Sequence, residues 1–324
     1  MGRLLLRLGL ILVILTLALG GIVAYGVHRF HQPGPLDEPL VLLIPRGEGV
    51  AAIAKRLEAA DVVGHALLFR LGVRLSGNDR ALRAGEYAFP AFVSTHEAMT
   101  ILIEGETVLH KLTVPEGLTT AEVMTVLGGA EGLEGELQTP LLEGELLPET
   151  YAYTWGETRE SLVLRMQKAM AETLLALWEG RDEGLPFATP LEALTLASLI
   201  EKETAVPEER SRIAAVFLNR LKRGMRLQSD PTVVYALTKG SGALGRPLAT
   251  ADLETSHPYN TYRVEGLPPG PIANPGRAAI EAAFHPLATD ELYFVADGNG
   301  GHVFARTLAE HRKNVRRWQR IRKN

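Results

Sequence analysis

The chain contains no cysteine, which excludes disulfides, thiol nucleophiles and cysteine-ligated metal together. It has no strong charge of either sign. Its 34 lysines and arginines against 38 aspartates and glutamates leave a net charge of −4, too mild to point to a nucleic-acid partner. No two histidines stand at the i, i+4 spacing of a helical metal site, so neither a metal nor another cofactor is expected. Internal repeats and low-complexity tracts are also missing. Long hydrophobic runs are absent with one exception, and that exception sets where the rest of the chain works.

Residues 8–27 are an almost unbroken apolar run, about the ~20 residues that cross a bilayer core as a helix. This is longer than the apolar part of a signal peptide. Arg3 and Arg7 precede the run and only His28 and Arg29 follow closely, so the charge rule puts residues 1–7 in the cytoplasm and the remainder outside. The expectation is a single-pass inner (plasma) membrane anchor with an extracytoplasmic body. Small residues at Ala18, Gly20 and Ala24 keep a cleaved secretion signal open as the alternative. A body without disulfides must be held together by packing alone.

Residues 28–39 are rich in proline and read as a linker. Beyond it the pattern alternates strand and helix. Strand at 40–44, helices at 49–60 and 65–75, strand at 82–89, helix at 95–104 and strand at 108–114 make a small α+β module over 40–112. Pro115, Glu116 and Gly117 then punctuate the chain, and Thr119 caps a helix reaching about Leu127. A loop region at 128–144, a helix at 160–180, an apolar helical run at 191–200 and a helix from Pro207 toward Gly224 follow, giving a larger α+β domain over 113–324.

The run at 191–200 ends on an acid, Glu201, with Glu203 close behind. Leu194, Ala197, Ser198 and Glu201 share one helix face by their spacing of three and four. The Glu201 carboxyl therefore leaves the helix from a side that packs inward. Partial desolvation there raises a carboxyl pKa and favours the protonated form, which is the requirement for a general acid. Downstream, residues 228–235, 258–262 and 266–276 are dense in amide, hydroxyl and aromatic groups. Such side chains suit sugar recognition, and the proline-glycine run supplies a stiff wall. Each of them alone reads equally as a turn around an α+β core.

Taken together, the motifs Ser-Leu-Ile-Glu-Lys-Glu-Thr-Ala-Val (198–206), Val-Phe-Leu-Asn-Arg-Leu (216–221), Gly-Met-Arg-Leu-Gln-Ser-Asp-Pro-Thr-Val (224–233), Tyr-Asn-Thr-Tyr (259–262), Gly-Leu-Pro-Pro-Gly (266–270) and Tyr-Phe-Val-Ala-Asp-Gly (293–298) resemble the YceG-like family of endolytic murein transglycosylases. Leu-Arg-Ala-Gly-Glu-Tyr (82–87) and Leu-Pro-Glu-Thr-Tyr (147–151) extend the resemblance toward the N-terminal part. It implies a membrane anchor, a LysM-like module at 40–112 and a catalytic domain at 113–324. The implied reaction is cleavage of the β-1,4 bond between N-acetylmuramic acid and N-acetylglucosamine in nascent peptidoglycan strands, leaving 1,6-anhydro ends. The resemblance places the catalytic acid at Glu201. It also implies peptidoglycan synthases as partners beside the glycan strands and the membrane.

Gln228, Asp230, Tyr259, Asn260 and Tyr262 are the candidate substrate contacts. Glu203, about 200° further around the helix, is expected to point away from Glu201 and to pair with a base or cap the next helix. Asp230 precedes a proline and reads as a helix cap, while a hydrolytic muramidase would need it as a second carboxylate. A non-catalytic glycan-binding scaffold is the remaining alternative. His302 is expected on a strand after a glycine turn, as a packing residue. The basic tail, Arg312, Lys313, Arg316, Arg317, Arg320, Arg322 and Lys323 around Trp318, is either a solvated helix face or a surface for anionic glycan or lipid.

Overall fold

The apolar run is helical from end to end in the computed structural model, which describes residues 2–138 and 140–323, the side chains of Arg3, Arg322 and Lys323 lying outside the described residues. Helix α1 (Gly2–His31) holds a 28-residue stretch, Leu4–His31, whose most apolar 18-residue window has mean hydropathy 2.5 and is not buried in the protein. By length and composition it is able to cross a membrane. The chain then divides into two units, Met1–His110 with Thr154–Gly156, and Lys111–Tyr153 with Glu157–Asn324. Both mix helix and strand.

In the first unit, β1 (Leu40–Ile44) and β2 (Gly85–Phe89) pair antiparallel, with Leu42 opposite Tyr87. Between them lie α2 (Val50–Ala59) and α3 (Ala66–Leu75), and α4 (Thr95–Glu104) follows. Strand alternation turns Tyr87 and Phe89 inward and Ala88 outward. They meet Leu57, Phe69, Val73 and Leu102 in one core, each side chain fully enclosed. A capping box between Ser94 and Glu97 starts α4.

The stretch read as a free linker is in fact folded onto this unit. The Phe30 ring lies against Gly72, so closely that a Cβ there would come within 2.3 Å of it, and Leu36 is buried. Gly34 N–H donates to Phe92 O at 3.1 Å, and Phe92 N–H donates to Leu36 O at 2.6 Å. Proline content signalled an extended path. Two apolar side chains decide that this path runs along a surface.

The second unit is built around one helix. The strands β3 (Leu109–Thr113) and β4 (Thr150–Thr154) form a two-stranded sheet, with α5 (Thr120–Gly128) and the long α6 (Arg159–Glu179) beside it. Helix α7 (Pro190–Glu203) starts at a Thr189 cap with proline in its first turn, and every residue from Ala193 through Ile200 is buried. A helix enclosed on all sides is a core element, with about 1.5–3 kcal/mol of apolar burial for each large side chain. Helix α8 (Arg210–Lys222) packs Ile213 and Phe217 against it, and α10 (Arg277–Phe284) packs Ile280 and Phe284. Helix α9 (Asp230–Thr238), the hairpin β5 (Tyr293–Ala296) and β6 (His302–Ala305), and α11 (Leu308–Lys323) complete the unit.

Candidate active site

Helix α7 leaves the core at its last turn, and there the candidate site begins. One edge of the helix receives two backbone amides from the proline-glycine segment. Ile272 N–H donates to Ser198 Oγ at 3.0 Å, and one turn later Gly276 N–H donates to Glu201 Oε2 at 2.9 Å. The shared face of Ser198 and Glu201 is therefore the face that docks this segment. Gly276 precedes α10, and a Cβ at this position would fall 1.8 Å from Glu116 Oε1. Only glycine lets the Glu116 side chain lie this close to the loop.

Glu201 is nearly enclosed, with 6% of its side chain exposed, while Glu116 beside it is 43% exposed. Arg210 Nη2 stands 3.5 Å from a carboxylate oxygen of each. Burial pushes the Glu201 carboxyl up from its ordinary value, and the negative charge of Glu116 pushes the same way; the Gly276 amide and Arg210 pull it down. The net direction is upward, toward retention of the proton. The contacts from Arg210 are long, and its Nε is buried without a hydrogen-bond partner.

The floor beneath is stitched by buried polar groups. Lys202 Nζ donates to Gly117 O at 3.0 Å, and Gly117, with φ of 76°, turns the backbone under the Glu201 side chain. Gly117 N–H in turn donates to Asn274 O. The fully buried Asn274 accepts from Leu146 N–H and donates to Leu118 O, tying three chain segments together.

Glu203 serves the other side of α7. It accepts from Ser229 Oγ at 2.5 Å, so its partner is a hydroxyl and not the base or helix cap expected for it. Burial and the neighbouring Asp230 raise its pKa to about 7, against weaker opposing pulls from that hydroxyl, His302 and Arg220. Glu203 nevertheless borders the same shallow opening as Glu201. Asp230 does not cap α9 with its side chain; its exposed carboxylate accepts from Tyr262 Oη at 2.6 Å. Gln228 is exposed in a left-handed turn with φ of 51°.

Asn260 is the residue whose surroundings differ most from the expectation of a substrate contact. It is 0% exposed, its amide nitrogen donates to Leu253 O and Thr255 O, and its oxygen accepts from Tyr262 N–H. Every group that could meet a ligand is used inside its own loop. Tyr259 is half-buried, its ring tilted 40° against that of Tyr235 with centroids 4.8 Å apart. His302 lies on β6, its ring Nδ1 2.7 Å from Glu209. Among the described residues no set of three or more His, Asp or Glu side chains is placed to hold a metal ion.

The openings form a chain along this unit. The one at Glu201, about 400 Å³, shares Lys202 with a second of about 440 Å³ that holds Asp230. That one shares Tyr235 with a third of about 750 Å³, lined by Tyr259, Glu143 and Pro271. Glu143 ties the third opening to the fold by accepting from Thr120 N–H at 2.6 Å and Tyr235 Oη at 3.2 Å. None of Glu116, Arg210, Gly276 and Glu143 was a candidate site residue; Glu116 and Gly276 entered the sequence reading only as part of a chain break and of a stiff loop. The acids and the arginine carried no local signal, because their neighbours are supplied by segments far away in sequence.

The profile of the YceG-like family matches residues 42–317. A Bacillus subtilis protein named endolytic murein transglycosylase is 32% identical over 330 aligned residues, covering 92% of this chain and 90% of its own. A Streptococcus pneumoniae protein of the same name is 34% identical over 321 residues, covering 84% of this chain. This chain spans 57% of the pneumococcal relative's length. A crystal structure of a YceG-like protein from Listeria monocytogenes shares the fold with a TM-score of 0.53 and 31% identity, covering 86% of this chain and 99% of the other. Matched over most of its length by the profile and by relatives above 30% identity, the chain belongs to the YceG-like family.

Proposed function

We propose that this protein is a lytic transglycosylase that cuts the β-1,4 bond between N-acetylmuramic acid and N-acetylglucosamine within peptidoglycan strands. The observation that carries the reading is the Glu201 carboxyl, nearly enclosed, biased toward its protonated form and bordering an opening of about 400 Å³. The names of the relatives from Bacillus subtilis and Streptococcus pneumoniae support the same reading.

In this mechanism Glu201 gives its proton to the departing glycosidic oxygen. Its carboxylate then takes the proton of the muramic C6 hydroxyl as that oxygen bonds to C1, closing a 1,6-anhydro ring. The proton taken up restores the acid, so one carboxyl serves both halves. An internal hydroxyl nucleophile needs no positioned water and no second carboxylate, unlike hydrolysis. While Glu201 is ionised, the Gly276 N–H and Arg210 stabilise it. Asp230 and Tyr259, which line the neighbouring openings, supply polar and aromatic contacts, with Tyr262 held against Asp230 and Gln228 exposed two residues before it; Asn260 shapes the loop that carries the two tyrosines.

α1 acts as the membrane anchor, with residues 1–7 cytoplasmic and the chain from about Phe30 onward outside, in reach of newly made strands and of the synthases that make them. Residues 40–112, whose strand-helix-helix-strand order fits a LysM-like module, hold glycan, and residues 113–324 cut it. Mass spectrometry of the ends produced from purified glycan strands tests the chemistry. Muramic 1,6-anhydro ends, absent with Glu201→Gln, are the expected result. Water-derived reducing ends would replace this reading with a hydrolytic one and make Glu116, the carboxylate sharing Arg210 with Glu201, the first candidate for the second acid.

A further inference from the structure

Away from the groove, α11 carries a second feature that strand cleavage does not use. Lys313, Arg316, Arg317 and Arg320 are spaced i, i+3, i+4 and i+7, which places them on one helix face. They converge on a concavity of about 690 Å³ whose floor is Val303 and Phe304 of β6. Glu310 is the one acid lining it, and its carboxylate is engaged by the Arg306 and Thr307 amides at the start of α11.

Elsewhere in the unit arginines find carboxylates: Arg212 holds Glu291, Arg246 holds Asp252 and Arg306 holds Asp290. Among the described residues none of the four cations lining this concavity has an ion pair. Four cations facing one acid repel each other and are left uncompensated by the fold. Three of them are guanidinium groups, whose planar fork matches phosphoryl oxygens in a bidentate way. The apolar floor beneath removes water from one side of such a contact and strengthens it.

We infer that the concave face between α11 and β6 is a binding site for phosphoryl groups, with anionic lipid headgroups as their source. A chain with a helix of membrane-spanning length holds its body at a high effective concentration of such headgroups. A free phosphate compound offers the same oxygens, and the experiment separates the two sources.

The full chain is placed in lipid nanodiscs, and hydrogen exchange of residues 308–320 is followed in three conditions. These are phosphatidylcholine alone, phosphatidylcholine with phosphatidylglycerol, and phosphatidylcholine with inorganic pyrophosphate. Two variants of equal charge are compared. One removes Arg316, Arg317 and Arg320 by Arg→Gln at each; the other removes Lys222, Arg223 and Arg312, which lie outside the concavity, in the same way. Exchange in α8 reports on folding in every sample.

Phosphatidylglycerol is expected to slow exchange in α11 by roughly tenfold, the scale of one charge-assisted contact. The slowing should fade with added salt, vanish in the Arg316, Arg317 and Arg320 variant, and persist in the other. Slowing by pyrophosphate but not by phosphatidylglycerol would keep the site and assign it a soluble ligand. No slowing by either, or equal responses of the two variants, would overturn it.

Discussion

Two carboxyls two residues apart at the end of α7 live in opposite circumstances. Glu201 is nearly enclosed yet loosely held, with a backbone amide at 2.9 Å and an arginine shared with Glu116 at 3.5 Å. Glu203 is closed off by the Ser229 hydroxyl at 2.5 Å. Both are pushed toward the protonated form, and in both the largest cause is burial. A raised pKa therefore does not distinguish a catalytic acid from a structural one here. The partners distinguish them. In the proposed mechanism Arg210 and the Gly276 amide stabilise the charge that proton transfer leaves on Glu201, whereas Glu203 is held by Ser229 at the start of α9.

This contrast is broken most strongly at Arg210. Arg210→Gln removes the cation that Glu201 and Glu116 share, and strand cleavage should fall by roughly 10- to 100-fold. The sign of the pH effect follows from the charge. Arg210 favours the ionised form of Glu201, so without it Glu201 keeps its proton to higher pH and the alkaline limb of the rate profile moves upward. Measuring the profile from pH 5 to 9 checks this, and an unmoved limb would remove Arg210 from the account.

Gly276→Ala is a milder disturbance. The new Cβ would collide with the Glu116 carboxylate, which is the free end of a flexible side chain and can swing aside. Cleavage should drop by roughly tenfold as the amide contact to Glu201 shifts, with little change in melting temperature; a large fall in melting temperature would mean that the glycine holds the loop itself.

Glu203→Gln acts on stability. The folded pKa of Glu203 lies near 7 against an ordinary value of 4.5, so the folded state binds this proton more tightly than the unfolded chain does. Stability is then greatest below pH 4.5 for this group and is lost as pH rises from there through 7, by on the order of 3 kcal/mol. Glu203→Gln should flatten that decline between pH 5 and 8 in denaturant titrations. An unchanged slope would show that Glu203 is not the group responsible.

Much of this arrangement was legible in the sequence. Thr119 announced its helix, the glycine turn before His302 announced a strand, and the apolar run that ends on Glu201 announced α7, because each of these signals is local. What pointed to Glu201 was hydrophobic periodicity, which also fixed the side of α7 that meets Ser198's partner. The cage around Glu201 was not legible, since Glu116 and Gly276 come from 85 positions before and 75 positions after it. Asn260 misled for the same reason. An amide in a polar loop has the same appearance in sequence whether it faces a ligand or is consumed by Leu253 and Thr255. The docked stretch around Phe30 and Leu36 went unread because its prolines suggested openness and its two apolar anchors were too sparse to form a pattern.

The most direct test of the central claim sets Glu201→Gln beside Glu203→Gln in one assay of glycan-strand cleavage, with both variants shown to be folded by their melting curves. Glu201→Gln should lose about a thousandfold or more of the rate while Glu203→Gln stays within about tenfold of the parent. A folded Glu201→Gln protein that still cuts, or a Glu203→Gln protein that does not, would contradict the assignment of the acid to Glu201.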